Sequence, residues 1–381
     1  MKTAEILESL IGFDTVSRNA NMALINYVAE LFDAAGISYT ILKNETGDKG
    51  NLYASVGPLD RGGVMLSGHT DVVPVTGQDW TKDPFRLTVA DGRYYGRGTT
   101  DMKGFVACAV AALLKANSQN LKTPLHLALS YDEEIGCLGV HSLIDMLDAA
   151  PHRPAMCIVG EPTNLAVATG HKGKTALKAV CTGKEGHSAL APFALNALHL
   201  ACDFVAELRD MQYNLAQSGP QDADYDVPYT TVHVGKIIGG DVLNIVPNRC
   251  EVFFEIRNIA QDNPCFLMDE MRQRAKKIVT QAKEKASEAN IEITITNSYP
   301  GLNTPTDAKV VEFVKGLTMA NDTIKVAYGT EGGLFSSKID VPTVICGPGS
   351  MAQGHKPDEY VSIEQIERCD AMLERLIAKL C

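Results

Sequence analysis

The sequence predicts an α/β protein whose mainly parallel sheet, flanked by helices, is interrupted by an inserted ferredoxin-like α+β domain. Three observations lead to this fold class. Short apolar runs alternate with helical patterns in the first third of the chain, and the middle reads as strand, helix, strand, strand, helix, strand. The 381 residues also exceed what one hydrophobic core usually holds, so we expect two domains.

The first third supplies most strands of the larger domain. Apolar residues from Leu24 to Ala35 recur at helical spacing, and Gly36 follows as a stop. Short apolar runs without strict alternation lie at residues 52–56, 64–67, 125–130, 155–159 and 343–346. Residues 104–116 are apolar almost all round, as in a helix packed on a sheet. Such strands, separated by helices, favour a mainly parallel sheet covered on both faces.

The middle of the chain follows a different pattern. Strand candidates at residues 174–181, 231–238, 250–257 and 291–295 alternate with helix candidates at residues 192–211 and 264–288. This order is that of the ferredoxin-like unit. We therefore expect residues 174–297 to form an inserted domain, and residues 1–173 and 298–381 to form the larger domain around it.

Composition argues against several functional classes. The 46 acidic and 35 basic residues give a net charge of −11 without a basic block, so we expect no nucleic-acid partner. No apolar stretch reaches the roughly 18 residues that cross a bilayer. Residues 1–10 include Glu5 and Glu8 and no small-residue cleavage site, which predicts no signal peptide. Ten scattered cysteines without a Cys-x-x-Cys pair indicate free thiols and a cytoplasmic location.

Polar and charged segments follow the predicted buried strands. Such segments lie at residues 68–71, 132–134, 160–163 and 347–350, the last leading to His355, and another at residues 98–104 precedes the apolar helix. In open α/β sheets the carboxyl ends of the strands form the ligand crevice. These segments therefore bring histidines and carboxylates to one rim.

A rim of this composition predicts bound cations. Like charges a few ångströms apart disfavour ionisation, and two divalent ions would relieve that repulsion. Carboxylates with neutral imidazoles form a ligand set that suits Zn²⁺, with Co²⁺ or Mn²⁺ as substitutes. The sequence has no Gly-x-Ser-x-Gly elbow for a serine nucleophile. We therefore expect two zinc ions per chain.

The segments resemble those of the acetylornithine deacetylase and succinyl-diaminopimelate desuccinylase family of co-catalytic zinc amidohydrolases, in order from Ile11 to the C-terminus. The resemblance implies a zinc-peptidase-like catalytic domain, with residues 174–297 as its lid and dimerisation domain. It also implies the metal ligands, which are His69 and Glu161 for one ion, Glu134 and His355 for the other, and Asp101 as the bridge, followed by a cis peptide.

The resemblance implies the catalytic groups as well. Glu133 would be the general base that takes a proton from the metal-activated water and returns it to the leaving amine. Asp71, two residues past His69, is placed to orient that ligand. His187 would stabilise the oxyanion in the active site of a partner subunit, which requires a homodimer.

Substrate contacts follow from the same resemblance. Arg257 resembles the arginine that grips the substrate carboxylate, with Asn244 as a companion. Residues 329–335 read closest to the acetylornithine branch, in which Glu331 would face the ornithine ammonium. Gly354 departs from the family pattern, which more usually has alanine there. We therefore expect hydrolysis of N-acetyl-L-ornithine, a small N-acyl amino acid, to L-ornithine and acetate in arginine biosynthesis.

Three alternatives stay open. The first is a related N-acyl-amino-acid deacylase or a succinyl-diaminopimelate desuccinylase. The second is a dipeptidase or aminopeptidase, which would need a site for a free α-amine. The third is a non-catalytic binding protein, against which the complete ligand set and Glu133 argue.

Six other histidines lie away from the rim segments. Five of them fall within predicted helices, strands or linkers and are interpreted as structural: His126, His141, His152, His199 and His233. His171, just before the predicted inserted domain, stays unassigned.

Overall fold

The computed structural model describes residues 2–381. Its helices are α1 (Thr3–Ile11), α2 (Met22–Ala35), α3 (Lys103–Ala116), α4 (Val140–Asp148), α5 (Ala197–Ser218), α6 (Pro264–Ala282), α7 (Lys309–Thr318), α8 (Gly332–Ile339) and α9 (Ile363–Leu380). A 3₁₀ turn covers Ser188–Phe193. Across residues 2–381, no helix is both long and apolar enough to cross a membrane.

The strands follow the same chain order. They are β1 (Tyr39–Lys43), β2 (Gly50–Val56), β3 (Val64–His69), β4 (Thr88–Ala90), β5 (Arg93–Tyr95), β6 (Leu125–Ser130), β7 (Met156–Pro162), β8 (Val167–His171), β9 (Gly173–Thr182), β10 (Gly186–His187), β11 (Thr231–Gly239), β12 (Ile245–Val246), β13 (Arg249–Asn258), β14 (Asn290–Tyr299), β15 (Leu302–Asn303), β16 (Thr323–Val326), β17 (Thr343–Gly347) and β18 (Tyr360–Ser362).

These elements form two compact units. Within the described residues, unit 1 comprises residues 2–171, Leu302–Val326 and Thr330–Cys381, and unit 2 comprises Lys172–Gly301 with Ala327–Gly329. Each unit has its own hydrophobic core. The chain therefore passes from unit 1 into unit 2 and then returns to unit 1.

A mixed sheet forms the centre of unit 1, with β1-β2-β6-β3-β7-β17-β8-β15 in order and β16 beside β8. The central pairs β6–β3, β3–β7 and β7–β17 are parallel. The α/β fold class is thus confirmed, and parallel pairing also joins β16 to β8. The edge pairs β1–β2, β17–β8 and β8–β15 are antiparallel, as is β2–β6. β1 and β2 are antiparallel because a short turn connects them, whereas parallel strands need a long crossover.

The burial of the central strands explains their sequence pattern. Every residue of β3, β6 and β17 is buried, and strands covered on both faces read as continuous apolar runs. Helix α3 packs against the same sheet and buries most of its residues, among them Phe105 and Val106. The adjacent parallel strands end together, so the polar segments after them share one edge.

Unit 2 contains an antiparallel sheet in the order β11-β13-β9-β14. Leu177 of β9 and Phe254 of β13 share a core cluster with Phe204 of α5 and Met271 of α6. The first and third strands of the βαββαβ series are central and the other two form the edges. This is the ferredoxin-like arrangement that the sequence predicted.

Two helix boundaries in unit 2 differ from the prediction. The helix expected at residues 192–211 begins later, at Ala197, because Pro192 belongs to the 3₁₀ turn and the Asn196 side chain caps the helix by accepting a hydrogen bond from Leu198 N. It also runs on to Ser218. The helix expected at residues 264–288 ends sooner, at Ala282.

Candidate metal centre

All five predicted metal ligands lie at the carboxyl edge of the parallel strands in unit 1. His69 ends β3 and Glu161 lies near the end of β7. Glu134 follows β6, Asp101 precedes α3, and His355 lies in the loop between β17 and β18. Because adjacent parallel strands bring their carboxyl ends together, residues distant in sequence converge here.

Asp101 joins the two halves of this cluster. Its Oδ1 lies 3.2 Å from Nε2 of His69, and its Oδ2 lies 3.0 Å from Nε2 of His355. Oε1 of Glu161 lies 3.5 Å from the same nitrogen of His69, and Oε2 of Glu134 lies 3.1 Å from that of His355. Each oxygen of Asp101 therefore faces a separate histidine–glutamate pair.

Asp71 contacts both His69 and the acidic pair that follows β6. Nδ1 of His69 lies 2.9 Å from the carbonyl oxygen of Asp71 and 3.5 Å from its Oδ1. The Asp71 carboxylate also accepts hydrogen bonds from the backbone N–H groups of Glu133 and Glu134, at 3.1 and 3.3 Å. The Ser17 hydroxyl donates to it at 2.8 Å. One buried carboxylate thus orients a candidate ligand and the backbone of the acidic pair.

The two members of the acidic pair face different partners. The side chain of Glu134 lies beside His355. A carboxylate oxygen of Glu133 instead lies within 4.8 Å of ligand atoms of His69 and Glu161, and its Oε1 is 3.4 Å from Sγ of Cys137. The two glutamates thus differ in their nearest partners, although ligand atoms of both lie within 4.8 Å of one of His69.

Burial and mutual repulsion disfavour ionisation of the three glutamates at this centre. Burial raises the pKa of Glu133 well above its usual range, and the neighbouring Glu161 and Glu134 raise it further. Burial, together with the charge of Asp101, raises the pKa of both Glu134 and Glu161 to about 7. Hydrogen bonds to Asp101 and Glu134 raise the pKa of His355 to about 10. Protons on these glutamates and on His355 therefore offset the repulsion between the carboxylates, a role that bound cations would take over.

The donor atoms fit divalent cations. Ligand atoms of His69, Asp101 and Glu134 lie within 4.8 Å of one another, and so do those of His69, Glu133 and Glu161. Imidazole and carboxylate are ligands that zinc and related divalent ions accept. A cation would also reverse the effect of burial on the carboxylate pKa values.

Glu331 is a buried carboxylate of unit 1. It immediately precedes α8, is 2% exposed, and has its Oε2 3.5 Å from the Ser67 hydroxyl of β3. Burial raises its pKa to about 7. Glu331, the carboxylate expected to face the substrate ammonium, therefore has almost no exposed surface.

His171, which the sequence left unassigned, accepts a hydrogen bond at Nε2 from the backbone N–H of Gly333 in α8, at 3.3 Å.

His187 and Asn244 lie together in unit 2. His187 is on β10, which pairs with β12, and Ser188 N donates to the Asn244 carbonyl oxygen at 2.9 Å. Nδ1 of His187 accepts a hydrogen bond from Ala189 N at 3.1 Å. The imidazole of His187 is therefore hydrogen-bonded to the turn that follows it.

Arg257 lies on β13 of unit 2 and is already paired. Its Nε is 2.9 Å from Oε1 of Glu255, and its Nη1 is 3.2 Å from the Tyr299 hydroxyl. A substrate carboxylate at this guanidinium would share it with Glu255.

The sequence did not reveal the residues that support the Asp101 loop. The Glu359 carboxylate accepts hydrogen bonds from Thr100 N and Asp101 N, at 3.0 and 3.1 Å, and pairs with Arg97 at 2.6 Å. The one available signal was an arginine between two glycines, Gly96 and Gly98, which does not reveal its partner. The peptide bond after Asp101 is cis, as the family resemblance implied.

Comparison with known proteins identifies the family. Residues 65–379 match the family model described as peptidase family M20/M25/M40. The chain belongs to this family. It is 36% identical to an acetylornithine deacetylase from Myxococcus xanthus, in an alignment of 383 positions that covers 98% of this chain and 96% of the relative.

Solved structures of family members share the fold. The chain matches an M20-family metallo-carboxypeptidase from Sulfolobus solfataricus with a TM-score of 0.82 at 18% identity, covering 100% of this chain and 99% of that one. It matches a dinuclear-metal-binding M20-family peptidase from Bacillus subtilis with a TM-score of 0.70 at 14% identity, covering 99% and 98% of the two chains.

Membership of the M20/M25/M40 family has two consequences. The chain is a hydrolase, and the family resemblance inferred from its motifs is confirmed. The cluster around Asp101 is then the candidate centre for divalent metal in a metallo-amidohydrolase.

Proposed function

We propose that this chain is a dinuclear zinc amidohydrolase that converts N-acetyl-L-ornithine to L-ornithine and acetate, a step of arginine biosynthesis. The observation that carries the proposal is the position of Asp101, whose two carboxylate oxygens face separate histidine–glutamate pairs. The 36% identity to an acetylornithine deacetylase, over nearly the whole chain, supports the choice of substrate.

The five clustered residues would hold the two cations. His69 and Glu161 are assigned to one Zn²⁺, Glu134 and His355 to the other, and Asp101 to both, with Co²⁺ or Mn²⁺ as substitutes. When bound, the cations supply Lewis acidity, which polarises the scissile carbonyl and makes a water molecule more acidic. Asp71 holds the His69 ring in position for this role.

Glu133 is assigned the proton transfers. It accepts a proton from the attacking water and delivers it to the nitrogen of the leaving amine. Its buried position, which raises its pKa, favours holding the proton between these two transfers. The hydrogen bond from Glu133 N to Asp71 fixes the backbone from which the base extends.

Substrate recognition is assigned to three side chains. Arg257 binds the α-carboxylate, for which a planar guanidinium is suited, and Asn244 assists it. Glu331 provides the negative charge for the ornithine ammonium. The ammonium would in turn favour the ionised form of this carboxylate, which burial disfavours.

We infer a homodimer formed through unit 2. β11 is an edge strand, and Ile237 and Ile238 on it are 49% and 47% exposed. Tyr213 of the neighbouring α5 is 63% exposed. Exposed edges with apolar side chains are surfaces on which a second chain pairs. In this dimer, His187 of one copy stabilises the oxyanion in the active site of the other.

We also infer a cytoplasmic location. All ten cysteines are free, and most of them are buried. Disulfides are rare in reducing compartments, where buried thiols serve as small apolar side chains.

A substrate panel tests the proposed function. The zinc-loaded chain is assayed for kcat/KM with N-acetyl-L-ornithine, N-succinyl-diaminopimelate, an N-acetyl amino acid with a neutral side chain, and a dipeptide. We expect acetylornithine to be the best substrate. A clear preference for the succinyl substrate would move the chain to the desuccinylase branch, and hydrolysis of dipeptides alone would make it a dipeptidase.

Two variants locate the contacts that set this preference. Losing a charge-assisted contact typically costs about 1.5–3 kcal/mol, or roughly 10- to 150-fold in kcat/KM. Arg257→Ala should impair all N-acyl amino acids by such a factor, whereas Glu331→Gln should remove only the preference for the basic side chain. Arg249→Ala is the matched control, because Arg249 lies on the same strand and pairs with Glu251 as Arg257 does with Glu255.

A further inference from the structure

A buried ion pair supports the loop that carries Asp101. Arg97 and Glu359 are each 1% exposed, and their Nη1 and Oε2 atoms are 2.6 Å apart. The other oxygen of Glu359 accepts hydrogen bonds from the backbone N–H groups of Thr100 and Asp101, at 3.0 and 3.1 Å. Glu359 lies in the same loop as His355, four residues after it. This pair therefore joins the two loops that face each other across the candidate metal centre.

Gln78 extends the same network to the backbone of His355. Its Oε1 accepts hydrogen bonds from Nη2 of Arg97 and from Nε1 of Trp80. Its Nε2 donates to the carbonyl oxygen of His355 at 2.9 Å. The Arg97 guanidinium also lies over the Trp80 ring, 5.0 Å from its centroid. We call Gln78, Arg97 and Glu359 the loop clamp.

A buried ion pair of this kind contributes little net stability, since desolvation of the two charges offsets their attraction. The Arg97–Glu359 pair and Gln78 instead hold two loop backbones in place. Glu359 fixes the backbone of Asp101, and Gln78 fixes the backbone of His355, while Arg97 is hydrogen-bonded to both clamp partners. The three side chains therefore connect the backbone of Asp101 to that of His355.

We propose that the loop clamp is a positioning device that sets the distance between Asp101 and His355 and thereby the affinity for the cation assigned to Glu134 and His355. The inference rests on the proposed function, because it requires that these side chains bind metal. Groups behind metal ligands typically change metal affinity by about 10- to 100-fold when they are removed. A merely structural role would change stability and leave the affinity of the folded protein unaltered.

The first test uses Gln78→Ala, because Gln78 is only half-buried and its loss should leave the fold intact. Zn²⁺ affinity is measured by competition with a chromophoric chelator. We expect one of the two ions to bind about 10- to 100-fold more weakly and the other to change little. Gln353→Ala is the matched control, since Gln353 lies in the His355 loop outside the clamp.

Trp80 offers a second readout that does not depend on activity. It is the single tryptophan of the chain and donates a hydrogen bond to Gln78. Zn²⁺ should change its fluorescence in the wild type and in Gln353→Ala, and most of this change should disappear in Gln78→Ala. A fluorescence response that survives in Gln78→Ala would contradict coupling through the clamp.

The second test varies Glu359. Glu359→Gln keeps an oxygen that can accept from the Asp101 loop, so its loss of affinity should be smaller than that of Glu359→Ala. Each variant is compared by circular dichroism with the wild type. Wild-type affinity for both ions in folded Gln78→Ala and Glu359→Gln would overturn the clamp and leave the proposed function standing. A wild-type chain that binds no cation would overturn the proposed function, and the clamp with it.

Discussion

Nε2 of His355 lies 3.0 Å from Oδ2 of Asp101, although the two residues belong to the last and the first chain segment of unit 1. The other oxygen of the same carboxylate lies 3.2 Å from His69. Asp101 is the member that both halves of the cluster share. Any substitution there should therefore affect both candidate cation sites.

The acidic pair after β6 provides a test that separates a base from a ligand. Glu133→Gln should keep both cations and lose about 10³-fold in kcat, because only the proton transfer is removed. Glu134→Gln should instead weaken the cation shared with His355. Metal content and single-turnover rates of the two variants check this division. Equal loss of metal in both would show that Glu133 is itself a ligand.

His126 should make the stability of the protein sensitive to mild acid. It is 5% exposed, its Nδ1 is 2.7 Å from the Ser55 hydroxyl, and its ring stacks on Tyr53. Burial lowers its pKa from 6.5 to about 4. The unfolded chain therefore takes up a proton below pH 6.5, whereas the folded chain resists it until about pH 4.

Neutral His126 thus makes its full contribution to the free energy of unfolding above pH 6.5. This contribution is lost as the pH falls towards 4. The size of the pKa shift corresponds to about 3 kcal/mol. Urea unfolding of the metal-free chain should show a shallower loss of stability over this range in His126→Gln than in the wild type. His141→Gln, which alters an exposed histidine on α4, should follow the wild type. Parallel curves for all three proteins would contradict the assignment.

Subunit mixing tests whether His187 acts in a second copy of the chain. Inactive His187→Ala and Glu133→Gln should regain activity when mixed, because a hybrid dimer contains one intact site. Random exchange of equal amounts predicts up to about one quarter of wild-type activity. A mixture of Glu133→Gln with Asp101→Asn is the control, since each chain of that hybrid dimer has a defective residue in its own site. No recovery despite proven subunit exchange would place His187 in its own chain's site or outside catalysis.

Much of the candidate site could be predicted because it depends on a general rule of parallel sheets. His69 and Glu161 belong to neighbouring strands whose ends meet, so their proximity follows from strand order. The acidic pair and His355 could be placed at the same edge for that reason. The family resemblance then divided these residues into ligands and base.

Other features depend on contacts that no local pattern encodes. The Arg97–Glu359 pair joins segments distant in sequence, and its burial could be seen only in the folded chain. The burial of Glu331 depends on the packing that brings the start of α8 beside Ser67 of β3. The early start expected for α5 was wrong because the Asn196 cap outweighs the apolar residues before it.

Anomalous diffraction from crystals grown with Zn²⁺ tests the bridged dinuclear centre most directly. Data collected on both sides of the zinc absorption edge locate each ion independently of its assumed ligands. We predict two zinc peaks per chain, one contacted by His69 and Glu161, the other by Glu134 and His355, with an oxygen of Asp101 on each. A single peak at full zinc occupancy, or two peaks that do not share Asp101, would contradict this arrangement.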